Sequence, residues 1–266
     1  MKWIDTHTHL QVEDFVDDVG DVIARAKARG IVDMLICAGG NARDWARCQA
    51  LAHEYDVAYT LGIHPLHTPR AQESDLLELA QTVERALDDP HFVGIGEIGI
   101  DGWVETLDDA KQEHFFAEQL KIAKRFSLPL SVHIRKSGSR LLKYLNRYRV
   151  VGGVMHAFNG SEDELARFKA LGFHFGFGGA STYDGSQRIR RHLAQIEADR
   201  WVLETDAPDI PSSRRRDSGE LRTEPLDLLE TADVAAQLRG VSLETISEMT
   251  YQNALNAFPR LRLRHA

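Results

Sequence analysis

The chain has little cysteine, no long hydrophobic run and no excess of positive charge. Two cysteines among 266 residues are too few for the disulfide framework of small secreted proteins. No apolar run approaches the roughly 18 residues of a membrane-spanning helix. The first residues show no basic leader with an apolar core and a cleavage site. From these absences we predict a cytoplasmic protein that does not interact with membranes and needs no obligatory protein partner.

The charge balance argues against a protein that coats nucleic acid through a broad basic surface. The formal net charge is -8 at pH 7, whereas general affinity for phosphate backbones favours a basic face. A local basic rim around a site is compatible with this balance. No G-x-G-x-x-G motif follows the first apolar segment, which weakens a dinucleotide-binding interpretation.

Eight short apolar segments alternate with longer amphipathic ones. Several are nearly continuous in apolar residues, as expected of strands buried on both faces. Eight strand–helix alternations in 266 residues favour a closed α/β fold, the (β/α)8 TIM barrel, over an open doubly wound sheet. We predict one domain that spans residues 1–266. The predicted strands are 3–7, 32–38, 57–63, 92–98, 130–134, 152–157, 174–178 and 201–205.

The amphipathic segments between the strands fit the outer helices of a barrel. Residues 108–126 carry apolar side chains at helical spacing. Residues 161–170 open with SEDE, a serine cap followed by acidic residues that suit a helix amino end. We predict two closing helices, 223–238 and 243–257, and a long loop on the active face at 208–223.

Six histidine and carboxylate side chains lie at the ends of five of the predicted strands. His7 and His9 close the first segment, and residues two apart on a strand face the same side. Barrel active sites lie at the carboxyl ends of strands, and imidazole with carboxylate suits Zn, Mn, Fe or Ni, with Mg also possible. Six ligands exceed the three that one catalytic zinc usually takes, so we predict two cations bridged by Glu97. The predicted metal ligands are His7, His9, Glu97, His133, His156 and Asp206.

Structural roles are the alternative for each of these side chains, because a single histidine is more often hydrogen-bonded than metal-bound. Five strand ends that each carry a suitable ligand are hard to explain structurally, since unpaired buried charges are costly. Asp5 shares a face with His7 and either orients an imidazole or is a plain buried acceptor. We assign a structural role to His53, His91, His114, His174, His192 and His265.

The motifs around these residues resemble a known family. IDTHTHL, LGIHP, VGIGEIGID, HIRK, GGVMHAFNGS and ETDAP occur in this order at the ends of successive predicted strands. Together they resemble the TatD family of metal-dependent hydrolases, in the amidohydrolase-like barrel superfamily. The resemblance extends from Trp3 to the terminal NALNAF segment. It implies a two-metal hydrolase that cleaves phosphodiester bonds in DNA, with 3′–5′ exonuclease activity as one form.

The resemblance also implies a role for each site residue. One cation would be held by His7, His9, Glu97 and Asp206, and the other by Glu97, His133 and His156. Asp206 and Glu97 would be the catalytic carboxylates, with Asp206 taking the proton of the attacking water. His64 and Arg135 would bind substrate, and the guanidinium of Arg135 suits a phosphate. The alternative for His64 is a capping role ahead of Pro65.

Some positions depart from the family pattern. HIRKS lacks the acidic residue that often follows the arginine, HAFNG replaces HCFSG, and Thr223 stands where asparagine is usual. Gly102 and Trp103 replace tyrosines that often follow the GEIGLD motif. These positions fall in loops that line the pocket of a barrel, so they bear on substrate identity.

Two competing functions follow from the same residues. The activated water could instead cleave a carboxylic ester, a lactone or an aminoacyl bond. A non-catalytic metal-binding scaffold would be expected to have lost ligands, whereas this set is intact. Basic side chains could form one face of the helix after the fifth strand, namely Lys136, Arg140, Lys143 and Arg147. Others could border the cleft, namely Arg214, Arg215 and Arg216, although solvated surface is the more common role for most of these residues.

Overall fold

Eight parallel strands follow one another around a single sheet in the order of the chain. The computed structural model describes residues 1–265. The Thr6 hydroxyl donates to the Leu203 carbonyl, and Thr8 forms a parallel bridge with Ala207, so the last strand returns to the first. The predicted (β/α)8 barrel is confirmed. The strands are β1 Trp3–Thr8, β2 Ile31–Ala38, β3 Ala58–Leu61, β4 Phe92–Asp101, β5 Leu130–Arg135, β6 Gly153–Met155, β7 Phe173–Phe177 and β8 Trp201–Leu203.

Helices connect the strands and cover the outside of the barrel. The helix predicted at 161–170 begins one residue later, and its Ser161 cap forms a capping box with Glu164. The helices are α1 Val19–Ala28, α2 Ala42–Tyr55, α3 Glu73–Ala86, α4 Asp109–Phe126, α5 Gly138–Arg147, α6 Glu162–Ala170, α7 Gln187–Gln195, α8 Ser213–Asp217, α9 Leu228–Arg239 and α10 Leu243–Ala257. Within residues 1–265, no helix has both the length and the apolar character needed to span a bilayer.

The segment after β8 differs from its prediction in two ways. Inside the predicted loop 208–223, the Ser212 hydroxyl accepts a hydrogen bond from the Arg215 amide and caps the short helix α8. The helix predicted from residue 223 begins only at Leu228, because Pro225 opens a separate 3-10 turn, Pro225–Asp227. A proline fixes its own backbone and lacks the amide donor, so it favours the first position of such a turn.

The predicted strands are present, but their ends differ where the candidate ligands lie. β4 continues to Asp101, because residues 98–101 pair in register with residues 132–135 of β5. Glu97 therefore lies within β4, and its prediction as a strand-end residue was wrong. β6 ends earlier than predicted, so His156 lies in the loop that follows it. β8 also ends earlier, and Asp206 lies beyond it, as predicted.

Apolar side chains from alternate strand positions fill one end of the barrel. They pack with Phe258 and Leu261 of the carboxyl-terminal segment, which closes this end. A larger cluster packs between the sheet and the helices and includes the buried Trp3, Trp45 and Trp201. The inner cluster contains Ile4, Leu35, Ala58, Val93, Val154 and Val202 from six strands. This leaves the opposite end of the barrel for polar side chains.

His174 is an ionisable side chain within the barrel wall, and it makes folding sensitive to acid. It is 6% exposed on β7, where burial and the charge of Arg200 lower its pKa from 6.5 to about 4. The unfolded chain therefore takes up this proton near pH 6.5, whereas the folded chain resists it until about pH 4. The neutral His174 side chain therefore favours the folded state fully above pH 6.5, and this contribution to the unfolding free energy is lost as the pH falls towards 4.

We expect the unfolding free energy of the wild type to fall more steeply than that of His174→Gln between pH 7 and pH 4.5. The difference should be about 2–3 kcal/mol. Urea titrations of both proteins, in buffer with chelator so that metal release does not contribute, measure it. Parallel pH dependences would show that His174 ionises normally in the folded protein.

Candidate metal centre

The candidate ligands meet in a cleft of about 1350 Å³ at the carboxyl end of the barrel. Its walls include His9, His64, Glu97, His133, His156 and Asp206. His7 lies directly behind them, fully buried, with its ring stacked 3.9 Å from that of His156. The six predicted ligands and His64 are thus brought together around one point.

The first group of side chains surrounds the Nε2 atoms of His7 and His9, which lie 3.2 Å apart. Glu97 Oε2 lies 3.3 Å from the first nitrogen and 3.2 Å from the second. Asp206 Oδ1 lies 3.6 Å and 3.3 Å from the same two atoms. The Asp206 amide donates to the His7 carbonyl, and this contact fixes the β8 loop against β1.

Hydrogen bonds on the far side of each ring set which nitrogen faces the centre. His9 Nδ1 lies 2.8 Å from the Cys37 carbonyl, which only accepts, so Nδ1 carries the proton and neutral Nε2 presents a lone pair. The Ser131 hydroxyl engages His7 Nδ1 at 2.8 Å. With neutral rings, imidazole lone pairs and two carboxylates converge with no proton between them. Such a set of donors fits a divalent cation.

The second group surrounds the other oxygen of Glu97. His133 Nδ1 lies 3.0 Å from Glu97 Oε1, and His156 Nε2 lies 3.4 Å from it. His133 Nε2 donates to Asp101 Oδ2 at 3.0 Å, which leaves Nδ1 free to face the centre. A carboxylate behind an imidazole is the usual support of a metal-bound histidine. Glu97 therefore presents one oxygen to each group of ligands.

His64 lies beside the second group, but the ring nitrogen that faces the cleft carries a proton. Unlike a metal ligand, this nitrogen therefore presents no lone pair. His64 Nδ1 accepts a hydrogen bond from the Leu66 amide, so in the neutral ring the proton is on Nε2. This Nε2–H points at Glu97 Oε1, 3.2 Å away. Burial lowers the pKa of His64 and favours the neutral form. His64 combines the predicted capping role with a hydrogen-bond donor in the cleft.

The electrostatics of the site favour positive charge. Burial alone would raise the pKa of Glu97, but the imidazoles of His64, His7 and His156 hold it well below its usual range. Burial would lower the pKa of His133, yet hydrogen bonds to Asp101 and Glu97 raise it to about 9. Asp101 and Glu97 thus hold a proton on His133, and a cation that binds there displaces that proton.

Three supporting residues were not predicted from the sequence. Asp101 and Ser131 lie on the strands of Glu97 and His133, at even spacing from them, and this alternation is the signal that could have identified them. Glu204 is buried beside His156, with Oε1 accepting from the Ala157 amide and lying 3.5 Å from His156 Nδ1. Its carboxylate fills the space above Gly176, where a Cβ atom would lie 1.9 Å from Oε2.

Asp5 is a plain buried acceptor and does not orient an imidazole. Its carboxylate accepts from the backbone amides of His7 and Thr205 and from the Thr205 hydroxyl. The role of orienting the His7 ring belongs to Ser131 instead. Burial raises the pKa of Asp5 to about 7.

The basic side chains divide between cleft and surface. Arg135, Lys136 and Arg188 line the cleft. Arg140 and Lys143 of α5 pair with Asp109 and Glu113 of α4, so they join two helices.

Arg214 and Arg215 pair with Glu230, Asp227 and Glu220, and Arg216 lies over the Tyr183 ring. Thr223 is buried, with its amide donating to the Pro208 carbonyl.

The histidines assigned structural roles do not line the cleft. Most of them contact a carboxylate or a carbonyl elsewhere in the fold. His53 and His91 both contact Asp89, whose carboxylate also accepts from the Tyr59 hydroxyl and the His91 amide. This carboxylate is already satisfied by hydrogen bonds without an ion. His114 pairs with Glu73, His192 contacts the Gly160 carbonyl, and His265 pairs with Asp33.

The fold and the site define a class: a (β/α)8 barrel with histidine and carboxylate side chains gathered in a cleft at its carboxyl end. The family description "TatD related DNase" matches residues 4–259. The chain belongs to this TatD family, and the predicted class of metal-dependent hydrolase is confirmed.

Several relatives cover nearly the whole chain. An "Uncharacterized metal-dependent hydrolase" of Haemophilus influenzae is 33% identical over 97% of this chain and 100% of its own length. A "3'-5' ssDNA/RNA exonuclease TatD" of Pantoea vagans is 32% identical over 96% of this chain and 98% of its own. The crystal structure of YJJV, a TatD homolog from Escherichia coli, superposes with a TM-score of 0.89 at 31% identity, covering 97% of this chain and 98% of that one.

Proposed function

We propose that the protein is a two-cation phosphodiesterase that cleaves nucleic acid, with DNA as its main substrate. The observation that carries this proposal is the position of Glu97, whose two oxygens face two separate groups of imidazoles in one cleft. Cationic side chains on the cleft wall suit a phosphodiester. Relatives named as a DNA or RNA exonuclease and as a deoxyribonuclease support the choice of substrate.

The ligand set divides between two cations. His7, His9, Glu97 and Asp206 would hold the first, and Glu97, His133 and His156 the second. Divalent cations at such a pair of positions polarise the phosphate and make a bound water more acidic. We further infer that residues 1–266 act as one hydrolase domain. We place the reaction in the cytoplasm, where free thiols such as Cys37 and Cys48 persist.

Three side chains of the cleft would act on the substrate itself. Burial would raise the pKa of Asp206, but the imidazoles of His156 and His9 hold it below its usual value, so this carboxylate is ionised and can accept a proton from water. The Nε2–H of His64 would donate to a phosphoryl oxygen. The guanidinium of Arg135 would stabilise the negative charge that develops there.

Cleavage assays after metal removal test this function. We expect labelled single-stranded DNA to be cut by the purified protein, the activity to disappear with chelator, and Mn, Zn, Mg or Ni to restore it. Duplex DNA and RNA are tested alongside, and the product ladder separates an exonuclease from an endonuclease. The same preparation is offered a carboxylic ester and a lactone. A metal-loaded protein that hydrolyses these but no nucleic acid would overturn the proposal.

A further inference from the structure

Trp103 is an exposed aromatic side chain in the wall of the cleft. It keeps 53% of its surface accessible, whereas the other three tryptophans are at most 1% exposed. Exposing an indole costs hydrophobic free energy, and the rest of this chain buries its indoles. A large apolar surface left open beside an active site suits the binding of an apolar or aromatic group of a ligand.

The position of Trp103 is fixed relative to the candidate metal centre. Asp101 Oδ1 accepts from the amides of Trp103 and Val104, at 2.8 Å and 3.0 Å. The other oxygen of the same carboxylate holds His133 Nε2 at 3.0 Å. One carboxylate therefore orients both a candidate ligand and the loop that carries the indole.

Positive charge lies next to the indole. Lys136 Nζ lies 3.9 Å from the centroid of the Trp103 ring, and the guanidinium carbon of Arg135 lies 5.1 Å from it. This proximity depends on Gly102, because a Cβ atom there would lie 2.5 Å from the Lys136 carbonyl. Neither cation takes part in an ion pair of residues 1–265. Both charges are thus available to an anionic ligand that also contacts Trp103.

We propose that Trp103 stacks on a base of single-stranded nucleic acid while Lys136 contacts the adjoining phosphate. This inference rests on the proposed function and names the form of its substrate. Aromatic side chains beside cations bind single strands of any sequence, because every base has a face on which to stack. In a duplex those faces are covered by neighbouring base pairs. The deep position of Glu97, with 3% of its side chain exposed, also favours a flexible strand.

Binding without catalysis tests the role of the indole. The metal-free protein in chelator is titrated with fluorescent oligothymidylate, which is then displaced by unlabelled oligothymidylate or by an abasic chain of equal length. The two competitors have the same phosphates, so their difference isolates the bases. We expect the wild type to prefer oligothymidylate by about 5- to 150-fold, the range of base–aromatic stacking. Trp103→Ala should bind both chains equally, and Trp103→Phe should keep part of the preference.

Leu66→Ala is the matched control, since Leu66 is an apolar residue of the same cleft with 51% exposure. It should keep the wild-type preference. If the wild type cleaves oligothymidylate but binds both competitors equally, the stacking role is wrong and the nuclease function stands. If the preference exists and depends on Trp103 but no metal supports cleavage, the nuclease function is wrong and the base site stands. A wild type that neither binds nor cleaves either chain overturns both.

Discussion

Glu97→Gln is expected to lower the rate of hydrolysis by more than about 100-fold. Glutamine keeps the size of the side chain but replaces one carboxylate oxygen with an amide nitrogen, which cannot bind a cation. Changes behind a ligand already cost about 10- to 100-fold in metal affinity or activity. Glu97 contacts both groups of imidazoles, so its loss affects both proposed cations. Turnover of the substrate found in the cleavage assays, with bound metal counted per chain, measures the effect.

Glu73→Gln is the matched control for this substitution. Glu73 is 74% exposed on α3 and pairs with His114, and neither residue lines the cleft. We expect it to retain wild-type turnover and metal content. Circular dichroism of the two variants checks that both fold. A folded Glu97→Gln protein with full turnover would contradict the bridging role of Glu97.

The barrel could be predicted because its signals are local. Apolar runs of strand length, separated by amphipathic segments, depend only on neighbouring residues. The convergence of the candidate ligands could be predicted for the same reason, since each follows or lies within such a run. The position of Glu97 inside β4 was missed because the length of a strand depends on its pairing with β5. The pairing depends on the register between two strands, and the apolar pattern of one strand carries no information about that register.

The supporting residues were harder to predict because their partners are distant in sequence. Ser131 contacts His7 across 124 positions, and Glu204 contacts Ala157 across 47. A serine or glutamate in a buried strand has many possible partners until the barrel is closed. Asp5 illustrates the same difficulty, because its spacing from His7 was compatible with two roles. Only the position of Thr205, 200 residues away, decides between them.

The closed end of the barrel contains another long-range contact, a buried ion pair. Asp33 is fully buried on β2, and Oδ2 lies 2.8 Å from Arg264 Nε and 3.0 Å from His265 Nε2. Its Oδ1 accepts from the amides of Met34 and Ala58. The Arg264 side chain is only 6% exposed. Removing the charge of Asp33 would leave a buried guanidinium without its main partner.

We therefore expect Asp33→Asn to destabilise the fold by about 3–5 kcal/mol, the cost of leaving one member of a buried pair uncompensated. For a chain of this size, this corresponds to a fall in the unfolding midpoint of about 6–20 °C.

Asp56→Asn is the control, because Asp56 contacts the same guanidinium at 3.0 Å but is 79% exposed. It should cost less than about 1 kcal/mol, since water screens an exposed pair. Thermal unfolding of both variants distinguishes them, and equal shifts would show that burial does not set the strength of the Asp33 contact. Activity per folded molecule should be unchanged in both, because this cluster and the cleft lie at opposite ends of the barrel.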